Sequence, residues 1–200
     1  MPPVSRIYLD HAATTPVLPV AREAMAQALE LWANPSSPHA EGRKARAMVE
    51  DARARIKAAL GWDGELIFTS GASDAIAVAL KGAKAPLAGV SPVEHDSVLR
   101  LSGQAPRLRV DADGVVQMPE AIAQQGLYVI QQVNSETGVI QPLDKIAEEL
   151  HARGALLFAD CAQGAGKLPV PSADMIALGA HKLGGPPGRS EEHTSELQSH

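Results

Sequence analysis

The amino-acid sequence predicts an α/β fold, a three-layer sandwich in which helices cover both faces of a mostly parallel β-sheet. Short apolar runs typical of strands alternate along the chain with segments whose apolar residues recur at three- and four-residue spacing. Polar residues directly follow several of these runs, as expected where the carboxyl ends of parallel strands form a functional edge. The fold class therefore also indicates where chemistry should be sought.

The predicted strands are six short runs: 7–10, 65–69, 107–110, 127–133, 155–160 and 174–178. The predicted helices are five: 19–33, 39–60, 73–82, 119–125 and 142–153. The last helix has the clearest limits, because it starts with Pro142 and stops at Gly154, residue types that favour helix starts and ends.

The composition is that of a folded, soluble chain with no nucleic-acid or membrane partner. Hydrophobic residues make up 45% and charged residues 20%, and the formal net charge is −5. The densest basic stretch, residues 43–57, is interleaved with acidic residues at helical spacing, which argues against binding to a phosphate backbone. With a single cysteine and neither a signal peptide nor a long apolar run, we expect a cytoplasmic protein.

A small-residue loop between a predicted strand and a predicted helix is a candidate phosphate site. Gly71, Ala72 and Ser73 would let backbone N–H groups and one hydroxyl surround an anion at the positive end of the helix. The simpler alternative is an ordinary capped helix start, and the neighbouring Asp74 disfavours an anion.

Asp160 closes an apolar strand, where a buried carboxylate normally needs a cation or a proton donor. A protonated pyridine nitrogen would be such a partner, although a turn or cap role is an alternative for this residue. Gln163 follows three residues later and could direct a second polar group at the same ligand ring.

Lys182 follows another apolar strand in a glycine-rich segment and is preceded by His181. A lysine amine in such a place can form a Schiff base once its pKa is lowered, although a surface lysine is the alternative. His95 lies just past a further expected strand, where its ring could stack on an aromatic ligand or serve a structural role.

These pieces occur in an order that resembles the class V aminotransferase-like enzymes, and most closely the cysteine desulfurases. The resemblance covers nearly the whole chain before residue 189, in seven motifs: YLDHAATTP, NPSSPHAEGR, FTSGASDA, EHDSV, VNSETGVIQP, ADCAQGAGKLPV and AHKLGGPPG. It implies the large domain of a fold type I transferase that depends on pyridoxal 5′-phosphate (PLP).

The resemblance also implies roles for individual residues. Lys182 would form the Schiff base with the cofactor, His95 would stack on its ring and move protons, and Asp160 would pair with the ring nitrogen. Gln163 would hydrogen-bond the phenolic oxygen. The remaining implied ligands share the task of holding the phosphate: Gly71, Ala72, Ser73 and His181. No metal site is predicted.

Three positions depart from the family pattern and remove polar groups near the site. Ser135 stands where the family usually has a second Asn, Gly179 where it has a phosphate-binding Ser, and Ala77 where it commonly has Asn. We therefore expect a lower affinity for the cofactor.

By resemblance, the implied reaction is release of sulfur from L-cysteine, which gives L-alanine and an enzyme persulfide for iron–sulfur cluster or thio-cofactor assembly. A sulfur-acceptor protein and a homodimer are implied for the full-length enzyme. The alternatives are another class V enzyme, an aminotransferase or a lyase, or a non-catalytic fragment.

We expect three segments. Residues 1–18 would pack with a second, small domain, residues 19–188 would form a truncated PLP-binding large domain, and residues 189–200 resemble translated sequencing-adapter DNA. In the family, the persulfide cysteine and the arginine that binds the substrate carboxylate lie in the second half. The 200-residue chain is therefore expected to be inactive.

Overall fold

The computed structural model describes residues 7–187 of the chain. The described residues form five α-helices: α1 (Pro19–Leu29), α2 (Ala40–Leu60), α3 (Ala72–Gly82), α4 (Asp96–Leu101) and α5 (Leu143–His151). The described strands are six: β1 (Leu87–Val90), β2 (Arg109–Val110), β3 (Val116–Gln117), β4 (Leu127–Gln131), β5 (Leu156–Asp160) and β6 (Met175–Ala177). A 3₁₀ turn, Ala180–Leu183, follows β6.

The main sheet has four strands in the order β1-β4-β5-β6, and all neighbouring pairs are parallel. In the centre, Gln131 at the end of β4 is in register with Asp160 at the end of β5. Strands β2 and β3 form a separate antiparallel pair. The expected α/β class with a mostly parallel sheet is confirmed.

Helices pack on both faces of this sheet because alternate strand residues point to opposite sides. On one face, Ile146 and Leu150 of α5 pack against a cluster that includes Tyr128 and Leu157. On the other face, Ile76 of α3 and its neighbours pack against the remaining buried strand residues. The three layers hold the carboxyl ends of the strands at a common edge.

Four of the predicted helices are present with ends within a few residues, but the helix expected at 119–125 is absent. Its backbone N–H groups bind other segments: that of Ala123 donates to the Tyr128 hydroxyl at 3.0 Å, and that of Gln125 donates to the carbonyl of Gly154 at 2.9 Å. The segment is a loop that packs on the sheet.

The strands expected at 7–10 and 65–69 are also absent. At the first, the backbone N–H of Ala13 donates to the Asp10 side chain at 3.3 Å, which closes a turn. At the second, Ile67 and Phe68 are 64% and 51% exposed, and no strand among residues 7–187 pairs with the segment. A strand needs such a partner for its backbone hydrogen bonds.

Two kinds of larger binding feature are absent from residues 7–187. No described helix combines the length and the apolar character needed to cross a bilayer. No group of three or more His, Cys, Asp or Glu side chains in this range could hold a metal ion. The segment 189–200, expected to derive from adapter DNA, lies outside the described residues.

Candidate functional site

The candidate site lies at the carboxyl edge of the main sheet, where residues that follow three of its strands come together. His95 follows β1, Asp160 is the last residue of β5, and Lys182 lies in the 3₁₀ turn after β6. Electrostatic interactions with His95 and Lys182 both favour the ionised form of the Asp160 carboxyl. The parallel topology therefore unites three residues that are far apart in the sequence.

Asp160 and Lys182 are both buried, at 7% and 9% exposure. One carboxylate oxygen, Oδ1, accepts a hydrogen bond from the backbone N–H of Ala162 at 2.9 Å. Burial raises the pKa of Asp160, while this hydrogen bond and the electrostatic interactions with His95 and Lys182 oppose the rise. A further cation at this carboxyl would favour its charged form.

The ring of His95 is oriented by its own helix start. Its Nδ1 atom lies 3.2 Å from the backbone N–H of Ser97, from which it accepts a hydrogen bond, and 2.8 Å from the Ser97 hydroxyl. Because Nδ1 acts as an acceptor, the proton of the neutral imidazole is on Nε2. The donor nitrogen of His95 is thus defined by its local contacts.

The predicted phosphate loop forms the start of α3. Gly71 is the residue before the helix, has no side-chain cap bond, and faces open space, since a Cβ built there would meet no atom within 4 Å. Ala72 and Ser73 begin the helix and are partly buried. The backbone N–H and hydroxyl of Ser70 instead donate to the carboxylate of Asp74 at 3.1 and 3.2 Å.

The turn that carries Lys182 also approaches this helix start. A Cβ built on Gly179 would lie 3.4 Å from the His181 ring and 3.7 Å from the Cβ of Ala72. A large cleft is lined by Ser70, Gly71, His181 and Lys182, among other residues. His181 and the proposed phosphate loop therefore border the same space.

The N-terminal segment forms hydrogen bonds with the turn that carries Lys182. The backbone N–H of Thr15 donates to the carbonyl of His181 at 2.9 Å, and its hydroxyl donates to the carbonyl of Lys182 at 3.2 Å. The side-chain amide of Gln163 donates to the carbonyl of Ala12 at 2.8 Å. The expected packing of residues 1–18 with a second domain stays a prediction.

Cys161 lies beside Asp160 and is fully buried. Burial, together with the negative charge of Asp160, raises the pKa of its thiol to about 12. Because a thiolate is the reactive form of cysteine, Cys161 is a packing residue and not a nucleophile.

Glu94 is the polar residue of this site that the sequence did not single out. It is 6% exposed, directly precedes His95, and its Oε1 accepts a hydrogen bond from the backbone N–H of Gln131 at 2.6 Å. The only sequence signal was an acidic residue next to a candidate histidine, which is too common to indicate a buried carboxyl.

Comparison with known proteins agrees with this architecture. The family model for class-V aminotransferases matches residues 7–190. The cysteine desulfurase IscS of Shewanella piezotolerans is 37% identical, over 91% of this chain and 52% of the relative. The chain thus spans about half the length of the curated relatives it matches.

Solved structures give the same result. A NifS-like protein from Rickettsia africae superposes with a TM-score of 0.83 at 28% identity, over 91% of this chain and 56% of that one. The protein SspA, in complex with cysteine, superposes with a TM-score of 0.81 at 30% identity, over 92% of this chain and 59% of that one. Since the family model covers all of the described residues, the chain belongs to the class-V aminotransferase family.

Proposed function

We propose that residues 19–188 are the cofactor-binding domain of a PLP-dependent cysteine desulfurase. The observation that carries the proposal is the buried Lys182 beside the buried Asp160, with His95 acting on the same carboxyl. A lysine held at low exposure at the edge of a parallel sheet is poorly explained as a surface residue.

The residues at this edge fit PLP. Asp160 is a buried carboxyl whose pKa is raised by burial, and a protonated pyridine nitrogen would offset the cost of its charge. The start of α3 offers backbone N–H groups and open space at Gly71, as a phosphate requires. The donor set therefore matches both ends of the cofactor.

Each proposed role belongs to a residue of this chain. Lys182 would attach the cofactor covalently, Asp160 would hold the ring nitrogen in its protonated form, and His95 would stack on the ring and donate or accept a proton at Nε2. Gln163 would contact the phenolic oxygen. The phosphate would be held by a group of small or polar residues: Gly71, Ala72, Ser73 and His181. Bound PLP would supply an electron-accepting ring for a substrate carbanion.

For the whole protein, we propose that L-cysteine loses its sulfur to an enzyme thiol, which becomes a persulfide, and leaves as L-alanine. The names of the curated relatives and the cysteine complex of SspA support this substrate. The persulfide thiol is not Cys161, the single cysteine of these 200 residues, because it is buried and its pKa is raised to about 12. Transfer to a sulfur acceptor, iron–sulfur assembly, a homodimer and a cytoplasmic location remain parts of the proposal.

Cofactor attachment is the first test. Purified chain is mixed with PLP, reduced with borohydride and digested, and the modified peptide is identified by mass spectrometry. We expect one added cofactor on Lys182, its loss in Lys182→Ala, and its retention in Lys84→Ala, which changes a lysine outside the site. A folded chain modified equally at many lysines, or not modified at Lys182, would refute the proposal.

The reaction is the second test. Residues 1–187 are joined to the part of the Shewanella piezotolerans desulfurase that lies beyond the matched region, and alanine and sulfide are measured with L-cysteine and a reductant. We expect both products from the chimera, neither from its Lys182→Ala variant, and neither from the 200-residue chain. Amino-group transfer to a keto acid without sulfide would instead support an aminotransferase.

A further inference from the structure

The two carboxyl oxygens of Glu94 differ in their hydrogen bonding. Oε1 accepts the 2.6 Å hydrogen bond from the backbone N–H of Gln131. Oε2 is fully buried and has no hydrogen-bond partner among the described residues. Burial of an ionised carboxylate with one oxygen unpartnered is energetically unfavourable.

The segment that carries Glu94 is fixed to the end of β4. The side-chain amide of Gln131 donates to the carbonyl of Val93, and that of Asn134 donates to the same carbonyl at 3.0 Å. Since Gln131 is in register with Asp160, these bonds hold Glu94 close to the Asp160 carboxyl. The next residue along the chain is His95, so the same bonds also hold the loop from which His95 projects.

Two buried carboxyl groups therefore share one small region, and their surroundings differ. The ionised form of Asp160, on β5, is favoured by the N–H of Ala162 and by electrostatic interactions with His95 and Lys182. Glu94 meets no cation among the groups that shift it: burial and the negative charge of Asp160 raise its pKa well above the ordinary value. The Gln131 N–H and the Ser91 side chain, from β4 and the loop after β1, oppose this rise only in part.

We propose that Glu94 is a positioning residue that remains a neutral carboxylic acid, ties the His95 loop to the end of β4, and leaves Asp160 as the sole negative charge of the pair. In this form Oε1, which accepts from Gln131, would be the carbonyl oxygen, and Oε2 would carry the proton. The effect of this single negative charge on a protonated PLP ring at Asp160 rests on the proposed function. The protonation of Glu94 does not, because it follows from this chain's own contacts.

Infrared spectroscopy of the cofactor-free chain tests the charge state directly. At neutral pH, the difference between the wild type and Glu94→Gln should contain the carbonyl stretch of a protonated carboxylic acid. The difference between the wild type and Glu120→Gln, which changes an exposed acid, should contain carboxylate bands and no acid band. A carboxylate band in place of the acid band in the Glu94→Gln difference would overturn the proposal.

Cofactor binding tests the positioning role. Glutamine preserves the neutral charge and the acceptor for Gln131, so Glu94→Gln should bind PLP within about twofold of the wild type. Its bound-cofactor absorbance should also depend on pH as in the wild type. Glu94→Ala loses the acceptor and should bind about tenfold more weakly, provided that circular dichroism shows a folded chain.

The outcomes separate the two proposals. If Glu94 were ionised, Glu94→Gln would remove a negative charge near the cofactor. The pKa of the protonated Schiff base of bound PLP would then fall by about one unit, and this result would overturn the inference. Wild-type binding by a folded Glu94→Ala would overturn the positioning role. If the chain takes up no PLP but shows the acid band, the proposed function fails and the neutral Glu94 is supported.

Discussion

The neutral form of Glu94 should make the stability of this chain fall as pH rises, and Glu94→Gln should remove that effect. In the unfolded chain, Glu94 loses its proton near its ordinary pKa of 4.5. In the folded chain, burial and the charge of Asp160 raise the pKa well above this value, so the proton is kept. Between these two pKa values the folded state binds one more proton than the unfolded state, and proton release then favours unfolding.

The magnitude follows from the difference of one bound proton. Each pH unit within the window lowers the free energy of unfolding by about 1.4 kcal/mol, and the fall stops once pH passes the raised pKa of Glu94. A glutamine side chain does not titrate, so the Glu94→Gln variant lacks this slope. Its stability relative to the wild type should therefore grow by about 1.4 kcal/mol per pH unit, starting near the ordinary glutamate pKa.

Urea unfolding followed by circular dichroism, repeated from about pH 4.5 to about pH 7.5, measures this difference. Other titrating groups cancel because they are common to both proteins. Glu120→Gln, at an exposed position, should show no pH-dependent difference from the wild type. If the Glu94→Gln difference is flat across the range, or grows in the opposite direction, Glu94 is ionised in the folded chain and the reasoning is refuted.

Three other predictions test the core. Leu150→Ala removes a fully buried side chain of α5 and should lower the free energy of unfolding, measured by urea titration, by about 2–5 kcal/mol. The control Leu29→Ala, at an 81% exposed position, should change it by less than about 0.5 kcal/mol. Gly164→Ala should destabilise the chain by about 1–3 kcal/mol in the same assay, because its Cβ would lie 2.0 Å from the buried Oε1 of Gln132; wild-type stability would contradict this packing. Cys161, buried and with a pKa raised to about 12, should resist a thiol reagent at neutral pH until urea unfolds the chain, and rapid labelling of the native chain would exclude this placement.

The elements predicted well are those whose own residues dictate their structure. Strands β4 and β5 are mostly apolar along their length, because both faces of a parallel sheet are covered, and such runs are evident in the sequence. Helix α5 has an apolar stripe that ends before Gly154, a glycine with φ +69°, which the sequence also indicates. In both cases local pattern and tertiary burial agree.

The elements predicted without limits, or predicted wrongly, depend on distant partners. A strand was expected before His95, but the sequence did not define its ends. Strand β1 is only four residues long and contains Gly89, where a Cβ would lie 2.6 Å from the ring of Tyr128 on β4. Glycine normally weakens a strand, so its presence here is explained only by the neighbouring ring. The apolar run at 65–69 was predicted as a strand because its pattern is strand-like. It forms none, because residues 7–187 contain no strand that pairs with it.

The residues of the candidate site also divide into those that the local sequence predicts and those that depend on distant contacts. Asp160 and Lys182 were predictable because each follows an apolar run, and in a parallel sheet the ends of such runs share one edge. Glu94 follows no such rule. Its burial depends on the strand register that places Gln131 beside Asp160, and on the hydrogen bond that the Gln131 N–H donates to the Glu94 carboxyl. The charge of a buried acid is thus decided by contacts with segments that are distant along the chain. A carboxyl of this kind becomes recognisable only when the register of the sheet is known.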